Sequence, residues 1–248
     1  MTFKDYFSEQ AADYSRYRPQ YPSGLFAWLA TISPRQQRAW DCATGSGQAA
    51  VALASHFSQV IATDASPAQL RQAQPRANVR YVCARAEQVP LANAAVDLIT
   101  VAQAAHWFDW PHFQREVDRL LVPDGVLAIW CYGLFHISPA IDAVIQAYYQ
   151  HTLGPYWPAE RQHIDQAYAR LAFPYALLTT PPFSMQLEWK LSQVMGYLAT
   201  WSATRLFIKT TGDDPLPALQ DRLAVHWGAP AQARRVQWPL HLKVGHKA

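Results

Sequence analysis

The stretch AWDCATGSGQAAVALA, residues 39–54, decides how the chain is read. An acid, Asp41, closes an apolar run. Ala43, Gly45 and Gly47 then alternate with Thr44 and Ser46, and an alanine-rich segment from Ala49 follows. Glycine reaches backbone conformations closed to other residues and lets the main chain approach a ligand closely. A strand, a glycine loop and a helix in that order form a cradle for a nucleotide-like ligand at a helix N-terminus. The glycines alone do not say which ligand. The remainder of the chain has to.

Working outward, strand and helix signals alternate. Residues 37–43 read as a first strand and residues 49–57 as a helix. QVIATD is a second strand ending at Asp64. Ser66 then caps a helix with Pro67 at its first position. VRYVCA, VDLITVAQ and VLAIWCYG supply strands three to five, with a helix capped by Asp109 before a VPDG turn. Continuous apolar strands alternating with helices predict a parallel sheet covered on both faces. The N-terminal aromatics Phe3, Phe7 and Tyr14 predict an amphipathic helix to about Tyr17, which Pro19 ends. A second helix is expected over residues 23–31. After strand five, Ser138-Pro139 opens one helix and a second is expected over residues 159–172, together forming a lid. FSMQLEWKLS and VQWPLHLKV alternate with period two and predict an antiparallel strand pair late in the chain. Pro239 lies inside the second of these, so a bulge or a missing ladder bond is expected there.

Composition bounds the function. The 248 residues suffice for one large α/β unit, and 50% hydrophobic with 16% charged residues predicts a buried core rather than disorder. A net charge of +3, scattered, does not make a nucleic-acid stripe. The opening MTFKDYFSEQ lacks a signal peptide's apolar core, and the run from Gly125 to Ile137 is too short to span a bilayer. Cys42, Cys83 and Cys131 fall on separate strands without metal or redox spacing, which predicts buried free thiols, a cytoplasmic protein and no metal site.

In an open parallel sheet the ligand lies beyond the carboxyl ends of the strands. Those ends carry Asp41 with the glycine loop, Asp64, Ala86-Glu87, Gln103 to His106, and Trp130 to Gly133. GSGQAA fits the dinucleotide form G-x-G-x-x-G/A, and Asp64 follows at about the distance of that site's ribose acid. A nicotinamide-dependent reductase is therefore one reading. Against it, Asp41 crowds negative charge where a pyrophosphate would lie. No G-K-[ST] follows the glycines, which excludes a P-loop. Asp41 suits a cationic ligand without phosphate, such as S-adenosylmethionine with its amino group and sulfonium.

Asp41-Cys42-Ala43-Thr44-Gly45-Ser46-Gly47 resembles the acid-x-G-x-G-x-G motif of class I S-adenosylmethionine-dependent methyltransferases, with Ala43 in place of the first glycine. RAEQVPL resembles the family's D-A-E-x-L-P-F segment, and VDLITVAQAAHWFD and RLLVPDGVLAIW resemble its fourth and fifth strand motifs. FSEQAADYSRYRPQYP, QAAHWFD, TWSA and VQWPLHL are similar to the subgroup containing trans-aconitate methyltransferase. The resemblance implies a Rossmann-like α/β fold: a mostly parallel seven-stranded sheet with an antiparallel C-terminal strand pair, a helical N-terminal cap and an inserted helical lid. It implies one methyltransferase domain over 1–248, with the cap at 1–35, the cofactor-binding core at 36–135, the lid at 136–182 and C-terminal strands and helices at 183–248. It places S-adenosyl-L-methionine, and the product S-adenosyl-L-homocysteine, on Asp41, Ala43, Gly45, Gly47, Asp64, Ala65, Ala86, Glu87 and Gln103. Asp64 would take the ribose hydroxyls, Ala65 the adenine face, and Ala86 and Glu87 the adenine edge.

Methyl transfer is an in-line displacement that depends on positioning, and a dry site favours an anion attacking a sulfonium. Tyr14, His106 and Trp107 are the candidates for the reacting centre, and Tyr21, Trp157 and Trp201 for aromatic walls. His106 could serve as a base for an alcohol or carbon acid, or only orient an acid that is already ionised. Arg18 and Arg205 could hold a carboxylate. A small molecule is the expected acceptor, possible acceptors including a carboxylic acid, and the expected state is a monomer or homodimer with neither nucleic acid nor membrane as partner. A protein that binds the cofactor without turnover is the non-enzyme alternative.

Overall fold

The computed structural model describes Tyr17 and residues 19–248. The helix expected ahead of Tyr17 therefore lies outside the described residues, as do Tyr14 and Arg18.

Helix α1 (Ser23–Ile32) leads into β1 (Arg38–Cys42), and the glycine loop joins β1 to α2 (Gln48–Leu53). Then come β2 (Gln59–Asp64), α3 (Pro67–Leu70), β3 (Val79–Cys83) and β4 (Val96–Ala102). A short 3₁₀ turn (Ala105–Trp107) and α4 (Trp110–Leu120) lead into β5 (Leu121–Cys131). The sheet has six strands in the order β3-β2-β1-β4-β5-β8, parallel except for β8 (His241–His246), which runs antiparallel to β5. Strand order reverses at β1 and β4, which makes that crevice the switch point. Strands β1 and β4 are buried almost throughout, which is why they read as unbroken apolar runs.

In and around the sheet, expectations change in detail. The seven-stranded sheet is a six-stranded one beside a separate antiparallel pair, β6 (Ser184–Trp189) with β7 (Arg234–Pro239). Pairing with β6 runs to Ser184↔Pro239, where β7 ends. The next residue, Leu240, donates its N–H to the Phe183 carbonyl, and the chain crosses to β5 as β8. The VPDG turn is an excursion within β5: pairing jumps from Val96↔Leu121 to Leu98↔Val126, with Asp124 at φ +59°. Cys83 is exposed, because β3 is an edge strand, whereas Cys42 and Cys131 are buried as expected.

After β5 the chain turns helical: α5 (Pro139–Ala147), a π turn (Tyr148–Thr152), a 3₁₀ turn (Gly154–Tyr156) and α6 (Arg161–Asp165). The helix expected over residues 159–172 stops at Asp165. Ala167 and Tyr168 take φ of +52° and +57°, which swings the Tyr168 ring into the core at 1% exposure. Helices α7 (Leu191–Ala199), α8 (Ser202–Thr211) and α9 (Leu216–Trp227) complete the layer, with α9 packed on α5 and α7. Among the described residues no helix is long and apolar enough to cross a membrane.

Candidate active site

The glycine loop is held from below by Asp41. This carboxylate is 1% exposed. Thr44 donates its hydroxyl to one carboxylate oxygen, and Thr100 on β4 donates to the other at 2.8 Å. Burial pushes its pKa up to about 6 against the pull of those two bonds. The acid thus ties the loop to β1 and β4 and puts negative charge beneath it.

Above it the loop turns through left-handed conformations at Ala43 (φ +54°), Gly45 (φ +57°) and Gly47 (φ +86°). At Gly47 a side chain is barred: an added Cβ would lie 2.5 Å from the Tyr81 hydroxyl. At Gly45 the space is open, the nearest atom being a Gln69 side-chain oxygen at 3.8 Å. Ala43 adopts the strained conformation in spite of its methyl group, which a glycine would take without strain.

Asp64 ends β2 with one oxygen turned to the loop and the other to its own next turn. The Gly45 N–H donates to Oδ2 and the Ser66 N–H to Oδ1, each at 2.8 Å. Asp64 therefore has its orientation set by main chain, and it is only half-buried. Glu87 receives the Asp109 N–H at 3.0 Å and lies 3.4 Å from Arg85. The segment after it is tied down by Arg119, whose fork binds Glu116 and the carbonyls of Val89 and Leu91. Burial, and after it the charges of Asp41, Glu87 and Asp64, hold the Cys42 thiol in its neutral form. Three carboxylates around one loop suit a cationic ligand and oppose a pyrophosphate. Ala65 is half-buried beside Asp64, and Ala86 is buried beside Glu87.

Gln103, expected among the cofactor-binding residues, directly follows β4. Its side-chain amide forms a reciprocal pair with the Tyr132 main chain, at 2.9 and 2.8 Å, which ties the end of β4 to the segment after β5. Its φ of +59° belongs to that bend.

His106 follows on the 3₁₀ turn. Its Nδ1 hydrogen-bonds the Tyr168 hydroxyl at 2.8 Å, and its ring lies 4.6 Å from that of Trp107. Burial, with the nearby charges of Arg161 and His163, pushes its pKa down to about 3. The imidazole is neutral at physiological pH. Tyr21 stands edge-on to Trp130 at 5.4 Å, and the adjoining Pro19 carbonyl accepts from Gln48 Nε2 at 2.9 Å, so this segment lies across the start of α2. Trp201 packs with Trp157 at 5.5 Å and Tyr149 at 5.8 Å. Arg205 donates Nε to the Ala199 carbonyl, back toward its own helix start.

The structure thus ties Asp41 and Asp64 to the loop of Ala43, Gly45 and Gly47, sets Ala65 beside Asp64 and Ala86-Glu87 after β3, and puts His106 with Trp107 at the end of β4. Sequence reasoning missed Tyr168, Tyr149, Tyr81 and Arg161. The usable signal for Arg161 was a basic residue directly after YWPAE, in a segment otherwise rich in aromatics. Among the described residues no group of His, Cys, Asp and Glu could hold a metal ion.

Comparison with known proteins agrees with this geometry. Residues 40–129 match a methyltransferase domain family. A Dictyostelium discoideum protein named as a candidate methyltransferase is 36% identical over 225 residues, covering 89% of this chain and 86% of that one. A solved structure of a candidate type II methyltransferase from Anaeromyxobacter dehalogenans superposes with a TM-score of 0.88 at 41% identity, covering 92% of this chain and 97% of that one. A Saccharomyces cerevisiae protein provisionally named an S-adenosylmethionine-dependent methyltransferase is 26% identical over 154 residues, 57% of this chain and 52% of that one. The reductase alternative falls with these matches. With an acid-ringed loop that fits a cationic nucleoside, and a relative matched along most of its length, the chain belongs to the S-adenosylmethionine-dependent methyltransferases.

Proposed function

We propose that this enzyme methylates a small organic acid on a carboxylate oxygen. The observation that carries the reading is His106. It stands at the end of β4, hydrogen-bonded to Tyr168, with its pKa pushed down to about 3. A group so weakly basic is a poor proton acceptor at neutral pH. An alcohol, phenol or carbon acid would need a proton removed, whereas a carboxylic acid is already ionised. The similarity of QAAHWFD and TWSA to the trans-aconitate methyltransferase subgroup supports the same class.

S-adenosylmethionine supplies an electrophilic methyl group on a sulfonium. Gly45, Gly47, Asp64, Ala65, Ala86 and Glu87 are the residues that would hold it, with Asp41 beneath the loop. Trp107 and Tyr21, with Trp157 and Trp201, would wall the acceptor and exclude water, which favours an anion losing its charge. His106, kept neutral, would orient the acceptor through its ring without taking a proton.

The test is transfer of a labelled methyl group to a panel of carboxylic acids, phenols and carbon acids, from about pH 5.5 to 8.5. Acids should accept label, with kcat/KM showing no titration near the ordinary histidine pKa. His106→Gln should lower the rate by about tenfold or less, the size of a positioning effect rather than the loss of a base. Turnover confined to phenols or carbon acids, governed by one ionisation near neutrality, would sink the carboxylate reading.

A further inference from the structure

Arg161 opens α6 and is only 19% exposed, yet its fork is largely unspent. The guanidinium lies over the Trp157 ring at 4.8 Å and over the Tyr149 ring at 5.5 Å. Nε donates to the Tyr149 hydroxyl at 2.9 Å, and the same hydroxyl donates to Asp165 at 2.6 Å. Asp165 itself is 3.5 Å from Nε and is 44% exposed. These contacts fix the plane of the guanidinium and use its Nε edge. Among the described residues the two terminal nitrogens have no hydrogen-bond partner.

The fork lines a cavity of about 680 Å³ beyond the carboxyl end of β5, with Gly133, Leu134, Tyr149 and Trp157 among its walls. Its positive charge is felt at His106, at Cys131 on β5 and at Tyr168. So the cation faces the strand ends where the acceptor is expected. A half-buried guanidinium, stacked between aromatics and with four N–H bonds unused, is set for a planar anion rather than for a point charge. Arg205 instead donates Nε back to the Ala199 carbonyl.

We propose that Arg161 is the acid anchor of the acceptor site, its two terminal nitrogens holding a carboxylate of the bound acceptor between the helical segment and the end of β5. Tyr149 is a positioning residue: its hydroxyl holds Nε and so aims the fork. The assignment rests on the reading that the acceptor is an acid.

The experiment is calorimetric titration of benzoate, phenylacetate, succinate and citrate, with benzamide as the uncharged control, into protein saturated with S-adenosylhomocysteine. Wild type, Arg161→Lys and Arg161→Met are compared, and each is first titrated with S-adenosylhomocysteine alone to show an intact cofactor cleft. At least one acid should bind wild type, benzamide should not compete, and Arg161→Lys should weaken the acid by about tenfold or more. Arg161→Met should abolish acid binding while S-adenosylhomocysteine binds all three alike. Tyr149→Phe should give an intermediate loss in acid affinity. Acid binding undiminished in Arg161→Met, or no acid bound by wild type, would overturn the anchor. Label transfer separates this from the carboxylate reading. An acid that binds through Arg161 while only phenols receive label defeats that reading and leaves the anchor. An acid methylated equally well by Arg161→Met does the reverse.

Discussion

Two ionisable groups, Asp41 buried and His106 partly so, pull stability in opposite directions with pH. Asp41 has its pKa raised to about 6, so the folded state binds its proton more tightly than the unfolded chain does. Its contribution is fully present below the unfolded carboxylate pKa and is lost as pH rises through about 6. His106 is the converse. With its pKa lowered to about 3, it contributes stability present above the ordinary histidine pKa and lost as pH falls. A comparison of wild type with Asp41→Asn cancels the histidine, which both share. Between about pH 4 and pH 8 the denaturant stability of Asp41→Asn should gain on wild type, by about 3 kcal/mol at most. A difference that stays constant across that range would show that Asp41 is not held as a buried, reluctantly ionised acid.

At the scale of elements, the glycine loop is a strained joint kept in place by its neighbours. Gly47 packs against the Tyr81 ring on β3 at φ +86°, so Gly47→Ala meets both a forbidden conformation and a clash. The variant should lose about 1–3 kcal/mol, lowering Tm by roughly 3–10 °C, measured by thermal denaturation. An unchanged Tm would mean the loop is free to move away from β3. This joint was legible in the sequence because every feature is local: the acid, the alternating glycines, the Ser66-Pro67 helix start. The strands were legible because burial on both faces leaves unbroken apolar runs. Two things were not. The end of α6 depends on Tyr168 reaching His106, 62 residues away along the chain. The parting of β7 from β8 at Pro239 could be read as a defect in one strand but not as a change of sheet, since the two partners are set by long-range pairing.

For the whole molecule, parallel strands deliver their carboxyl ends to one edge, and the helical segment after β5 brings Arg161, Tyr149 and Trp157 over that same edge. The strand ends that carry the candidate cofactor residues were legible, since those residues follow the strands in order. The acceptor half was only partly legible. Trp157 and Trp201 were named and do pack together, but Arg161 announces itself only once Tyr149 and Trp157 are folded around it. The acids and glycines at the ends of β1 and β2 are the proposed cofactor cleft. The most direct test is calorimetric titration of S-adenosylhomocysteine into wild type and Asp64→Asn, with NADH as the competing ligand. Wild type should bind S-adenosylhomocysteine saturably and ignore NADH. Loss of charge-assisted bonds worth about 1.5–3 kcal/mol should weaken the variant by roughly one to two orders of magnitude. Equal affinity in wild type and variant, or preference for NADH, would contradict the account.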